Sequence, residues 1–405
     1  MINQYLNVKK SIDLGNPSWE QAQKSQLTDL LVEHIGNGRL RDQNSHEFIN
    51  MCSCSYLALD VHPKIVQAAA DFVLNAKTVN LPTSRIRIRL GMLDEAEAML
   101  SSHFQCEALT ALSCSAASVA VLPLLAAGVF SNNERPLMIF DKFCHFSMNQ
   151  MKPNCGDETE VVTCNHNDLN FIEDACKKNK TVAYVAEGAY SMGGRAPVKE
   201  LLELQDKYGL YLYFDDAHSL SAYGDRGQGY AMSQMTELSD RSIIVCSLAK
   251  AFGSNGGVIF LGPKEHKEIV KRFGGPMSYS QYINPATIGA TIASVEIHQS
   301  PEFVTLQNKL HSNIKLFDEL LPTNNADNGL PIRLVVLNEP EIAIKCSERL
   351  FQEGFYTSAV FFPIVARNQA GLRVMMRSDM EESDIRRFAH LVNQFKAEEA
   401  NLKAA

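Results

Sequence analysis

Five short runs in the middle of the chain are apolar at nearly every position: Leu137–Phe140, Thr181–Glu187, Tyr211–Asp215, Ile243–Ser247 and Val258–Leu261. Stretches with helical periodicity separate them, as in Val198–Tyr208, where Leu201, Leu202 and Gln205 fall on one stripe. Strands that lack polar alternation are buried on both faces. The pattern therefore predicts an α/β fold with a mostly parallel sheet covered by helices. Such sheets collect functional residues at the carboxyl ends of their strands, where Glu187, Asp215 and Ser247 fall.

The flanks read differently. Residues 1–60 suggest a helical arm and a short strand (FINMCSCSYLAL). Residues 61–290 form the expected large domain. From 291 to 405 a smaller α+β domain is expected. A long helix from Pro285 to about Leu321 leads into it, followed by strand-like Ile332–Leu337, a helix over Glu341–Gly354, strand-like Phe355–Phe361 and Gly371–Met376, and a helix from Glu381.

Composition narrows the function. A net charge of −8 without a long basic run argues against nucleic-acid binding. The longest apolar stretch, Val119–Val129, is too short to span a bilayer and contains Pro123. The ten cysteines include no CxxC pair, and MINQYLNVKK does not read as a secretory leader. Reduced thiols and a cytoplasmic enzyme are expected.

Candidate chemistry gathers at strand ends. Lys250, in SLAKAFGSNGG (247–257), can project an amine into a cleft, with Ser247 and nearby N–H groups available for a phosphate. Asp215, in DDAHS (215–219), needs a partner to stay ionised at a buried strand end. A protonated ring nitrogen is one, and a structural turn-capping role is another. His218 follows it, and His145 lies in DKFCHFS (141–147). Cys144 has no accompanying ligand set, so neither a metal nor a thiol nucleophile is expected there. In LSCSAASVAVL (112–122), Cys114, Ser115 and Ala116 open an apolar helix whose N-terminus can receive an anion. Singly, each motif also has an ordinary structural reading.

Their order is more specific. It runs small-residue helix start, His, Glu-x-x-x-Ser, Asp-x-x-His, Ser-x-x-Lys. Together with SYLALDVHPKIVQA (55–68), EGAYSMGGRAPVKEL (187–201) and GLRVMM (371–376), the chain resembles the α-oxoamine synthases, fold-type I enzymes dependent on pyridoxal 5'-phosphate (PLP). The resemblance implies that Lys250 carries the cofactor as a Schiff base and that Asp215 pairs with its ring nitrogen. It further implies that His145 stacks on the ring and His218 contacts the ring oxygen, while Ser191 lies nearby. Ser247, Cys114 and Ser115 would surround the phosphate. Ser280 matches a position by which a second subunit completes the phosphate site, so a homodimer is implied. Arg373 would hold the amino-acid carboxylate, a task suited to a planar guanidinium.

The implied reaction condenses an amino acid with an acyl thioester, carried on CoA or a carrier protein, and releases carbon dioxide to leave an α-amino ketone. Departures from the pattern lie on the substrate side. Cys54 replaces an Asn expected to line the substrate site, Cys114 a phosphate-loop glycine, and PTSRIRIRLG (82–91) keeps Arg85 while adding Arg87 and Arg89. A specialised synthase, such as an α-hydroxyketone autoinducer synthase, is the favoured branch. 8-Amino-7-oxononanoate synthase or serine palmitoyltransferase activity is the alternative. An aminotransferase and a non-catalytic scaffold subunit are the remaining readings, the last opposed by Lys250.

Overall fold

The computed structural model describes residues 8–36 and 38–404. They fall into two compact units: Leu59–Ser191 with Arg195–Val304, and residues 8–58 with Met192–Gly194 and residues 305–404.

The first unit is built on a seven-stranded sheet. Its spatial order is Glu107–Ala111, Gly257–Leu261, Ser242–Ser247, Tyr211–Asp215, Val182–Glu187, Leu137–Asp141, Val161–Cys164. Gly257–Leu261 runs antiparallel to both neighbours and every other pairing is parallel. Successive side chains point to opposite faces, so alternate residues feed two cores. Val258 and Phe260 enter one cluster with Ile139, Tyr184 and Phe214. Ile259 and Leu261 enter the other with Phe140, Val185 and Tyr213. This two-faced burial is why the central strands show no polar alternation. The flanking Glu107–Ala111 and Val161–Cys164 escape sequence reading because each is short and begins or ends among polar residues.

The expected helix from Pro285 to Leu321 is two helices, Pro285–His298 and Pro301–Leu320. Pro301 offers no N–H and disfavours helical geometry at Ser300, which separates them. The first of the two packs on Pro63–Ala76 and Gly91–Phe104. It therefore groups with the sheet, and the unit boundary falls after Val304 and not at the expected residue 290.

The second unit contains the helix Val8–Lys24 and two small sheets. One joins Val32–Gly36, Arg39–Asp42, Glu47–Asn50 and Phe355–Tyr356. Because that last strand pairs with Glu47–Asn50, residues 8–58 group with the C-terminal segment and form no separate arm domain. The other sheet is antiparallel, ordered Ile332–Asn338, Ala370–Met375, Ser358–Val360. The buried Arg333 guanidinium grips Asp318 through two contacts of 2.6 Å each. Among the described residues, no helix is long and apolar enough to cross a membrane.

Candidate active site

The candidate site grows from the carboxyl ends of three adjacent parallel strands of the first unit. Tyr211–Asp215 ends in Asp215, only 5% exposed. The turn that follows carries His218, also buried. The Ser242–Ser247 strand leads into the turn bearing Lys250, and Gly253 lets that turn close. Its φ is +77°, and a Cβ there would stand 2.3 Å from the Leu59 side chain. The Lys250 Nζ atom lies 2.8 Å from His218 Nε2. With the imidazole proton on Nδ1, the amine donates to the ring.

Asp215 accepts the Ala217 N–H at 3.1 Å and faces the Cys114 thiol at 3.6 Å. Burial first, and the Asp215 charge second, push that thiol well above its usual pKa, so it remains an S–H donor. Cys114 opens the helix Cys114–Ala126, capped by Ser113, whose Oγ accepts the Ala116 N–H at 3.0 Å. Gln150 Nε2 donates to Ser115 Oγ at 3.3 Å. Gly257 permits the approach of its strand to this helix start, since a Cβ would lie 2.5 Å from the Ser113 carbonyl carbon. Ser247 is buried, and its hydroxyl accepts the Ala249 N–H at 3.2 Å.

In the sequence Glu187 stands at a strand end and opens the Glu-x-x-x-Ser motif, with no role implied for its side chain. It is 2% exposed, its Oε2 accepts the Ser191 N–H at 3.0 Å, and its Oε1 is buried without a hydrogen-bond partner among the described residues. Burial, then the Asp215 charge, push its carboxyl well above the usual range. The strand-end rule flags such a residue, but sequence cannot reveal that one oxygen is left unmatched. His145 caps the short helix Phe146–Asn149, its Nδ1 standing 2.9 Å from Ser147 Oγ. Cys144 is buried, donates to the Val185 carbonyl at 3.1 Å, and is pushed well above its usual pKa by burial. It is an inert thiol.

The substrate-facing role expected for Arg85 is corrected. Its guanidinium is 1% exposed and holds Glu97 at 2.6 Å and the Thr110 carbonyl at 2.8 Å. Arg87 and Arg89 are exposed, and Arg89 pairs with Asp94 at 2.7 Å. Ser280 follows the helix Gly275–Tyr279 and donates to Gln281 Oε1 at 3.2 Å. Cys54 and Arg373 belong to the second unit, where Arg373 lies in the strand Ala370–Met375 and its carbonyl meets the Cys52 thiol at 3.8 Å.

Pyridoxal phosphate fits the first-unit cluster. Asp215 is a buried carboxylate with no ion pair among the described residues, and a buried charge needs a partner, which a protonated ring nitrogen supplies. A strand-end amine and a capped helix N-terminus complete the donor set that this cofactor requires. Fold and site together define a fold-type I PLP transferase.

The chain belongs to the family described as Aminotransferase class I and II, which matches residues 46–392. It is 28% identical over 353 residues to an 8-amino-7-oxononanoate synthase of Thermoanaerobacter pseudethanolicus, covering 84% of this chain and 85% of the relative. The same figure holds over 385 residues for that of Petrotoga mobilis, at 90% and 94% coverage. Serine palmitoyltransferase of Sphingomonas wittichii has the same fold, with a TM-score of 0.84 at 17% identity, covering 96% of this chain and 98% of that one. The 8-amino-7-oxononanoate synthase of Francisella tularensis matches with a TM-score of 0.72 at 19% identity, covering 87% and 99%. The chain is thus a PLP-dependent enzyme of the α-oxoamine synthase type, as its motifs imply.

Proposed function

We propose that this enzyme condenses a small amino acid with a fatty acyl thioester, releasing carbon dioxide to give an α-amino ketone, in the manner of an autoinducer-type synthase. The observation that carries the PLP reading is the Lys250 amine, beside His218, in one cluster with the Asp215 carboxylate, which has no ion-pair partner among the described residues. Bound there, PLP supplies a carbonyl that captures amines and a ring that accepts the electrons released at the substrate Cα. Lys250 would hold the cofactor and would take the substrate Cα proton, with His218 Nε2 orienting its amine. Asp215 keeps the ring nitrogen protonated. The helix start at Cys114 and Ser115, with Ser247, holds the phosphate. His145 would cover the ring and Ser191 would flank it.

The enzyme works as a homodimer in the cytoplasm on this reading. Ser280 reaches the neighbouring subunit's phosphate, and the side chains near it in sequence, Phe273 and Tyr279, are 65% and 91% exposed. The replacements at Cys54, on the substrate side, and at Cys114, in the phosphate loop, favour a specialised acyl donor. The curated relatives favour a second reading, formation of 8-amino-7-oxononanoate, whose nine-carbon chain requires alanine and a seven-carbon diacid thioester. A matrix of amino acids against acyl-CoAs, scored by CoA release, separates them. Release with medium or long unsubstituted acyl chains supports the first. Release confined to the diacid thioester with alanine supports the second, and silence throughout despite bound cofactor overturns both.

A further inference from the structure

Glu187 and Asp215 are register partners at the carboxyl ends of neighbouring parallel strands. Side chains at such positions share a face of the sheet. The preceding pair on that face, Val185 and Tyr213, packs into one core cluster, to which Cys114 also belongs. Two buried carboxyl groups therefore stand side by side, and the proposed reaction uses one. Asp215 has donors for its charge in the Ala217 N–H and the Cys114 thiol. Glu187 Oε2 accepts the Ser191 N–H, and the His145 main-chain N–H also donates toward the carboxyl group. Its Oε1 is enclosed with no acceptor or donor among the described residues.

We propose that Glu187 is a positioning residue: its carboxyl group ties the His145 and Ser191 segments together beside Asp215, and its second oxygen serves a hydrogen-bond acceptor of the bound cofactor or amino acid. The proposal rests on the PLP reading of the site. The groups facing Glu187 decide its charge. Burial and the Asp215 carboxylate oppose ionisation, while the Ser191 N–H, then Lys250 and the His145 N–H, favour it more weakly. The nearby Cys114, Cys144 and Tyr190 are held protonated, mainly by burial, and so contribute no charge at neutral pH. Burial and the neighbouring carboxylate thus favour the protonated form of Glu187, which has an O–H to donate. Two ionised carboxylates side by side would repel, and keeping one neutral leaves the Asp215 charge undivided.

An uncharged role makes glutamine an adequate substitute, because it preserves the accepting oxygen and offers an N–H in place of the O–H. The test compares the holoenzyme with Glu187→Gln and Glu187→Ala, reading visible circular dichroism of the bound cofactor, the pH profile, and kcat and KM separately. Glu187→Gln is expected to keep the dichroic band, the pH profile and kcat within about threefold, whereas Glu187→Ala loses most of the dichroism and about tenfold or more of kcat. Glu187→Leu, which keeps the buried volume without the oxygens, carries the same expectation should the alanine variant not fold. A glutamine variant as impaired as the alanine one overturns the proposal, since an ionised or proton-transferring group would then be required. An alanine variant with unchanged dichroism and kcat overturns it too. The parent's visible absorbance tests the underlying cofactor reading separately from either variant.

Discussion

The Lys250 amine stands 2.8 Å from His218 Nε2, and the two side chains arrive from turns after adjacent parallel strands. With its proton on Nδ1, the imidazole accepts one N–H from the amine and so limits where the amine points. Lys250→Ala is expected to abolish both the visible absorbance of bound cofactor and CoA release. His218→Phe is expected to retain the absorbance while kcat falls about a hundredfold, because the amine loses an oriented partner during proton transfer. Absorbance spectra and steady-state kinetics of the two variants check this. A His218→Phe enzyme with parental kcat would refute the pairing's importance.

Asp215 has one main-chain N–H and one thiol as partners, and no ion-pair partner among the described residues. Asp215→Asn keeps the shape and the Ala217 contact but cannot stabilise a protonated ring nitrogen. It is expected to fold normally, bind the cofactor more weakly and lose at least about a hundredfold in kcat. Cys114→Ala removes only a weak donor and is expected to alter kcat by no more than about threefold. Cofactor-dissociation measurements beside kinetics distinguish the two, and equal losses in both variants would contradict this account of Asp215.

Legibility in the sequence followed burial. The central strands were readable because both faces are covered, so Ile139, Val185 and Ile244 interrupt no polar pattern. The hairpin Val32–Gly36 with Arg39–Asp42 was not readable, since its strands are largely polar and no residue of either strand is buried. The side chains at strand ends were legible as a set because motif order placed Asp215, His218 and Lys250 together. What sequence could not show is which way a side chain turns. Arg85, part of a conspicuous arginine run, faces inward, while Arg87 and Arg89 face solvent. Glu187 was legible as an acid at a strand end but not as a tether between two loops.

Arg85 and Glu97 form a buried pair at 2.6 Å, and Glu97 Oε1 also accepts the Thr110 N–H at 2.8 Å and its hydroxyl at 2.7 Å. Removing one partner leaves a buried uncompensated charge. Arg85→Ala is expected to destabilise the fold by about 3–5 kcal/mol. Near-parental KM values at temperatures where the variant remains folded should accompany that loss. Denaturant unfolding and kinetics at low temperature check both halves, and a large KM increase without lost stability would restore a substrate-binding role to Arg85.

The family resemblance implies that Arg373 holds the amino-acid carboxylate. Arg373→Lys keeps the charge but not the planar fork, so it is expected to raise KM for the amino acid about tenfold while leaving KM for the acyl thioester unchanged. Equal effects on both substrates would remove that assignment.

His298 supplies a pH dependence that is independent of catalysis. Its Nδ1–H donates to the Ser294 carbonyl at 2.7 Å, its Nε2 accepts from Ser221 Oγ at 2.8 Å, and its ring stacks on Phe303 at 4.3 Å. Burial lowers its pKa to about 3, with the neighbouring His103 adding a smaller push in the same direction. The unfolded histidine takes up its proton near its ordinary value of 6.5. Between those two values the unfolded chain binds more protons than the folded one, so stability falls as pH drops below 6.5 and is fully present above it. From pH 8 to pH 5 this one group is expected to cost about 2 kcal/mol. His298→Gln retains a donor and an acceptor but does not titrate, so the parent should lose about that much more than the variant over this range. Denaturant unfolding of both proteins at the two pH values measures the difference directly. Parallel losses in the two would mean that His298 is protonated in the folded enzyme.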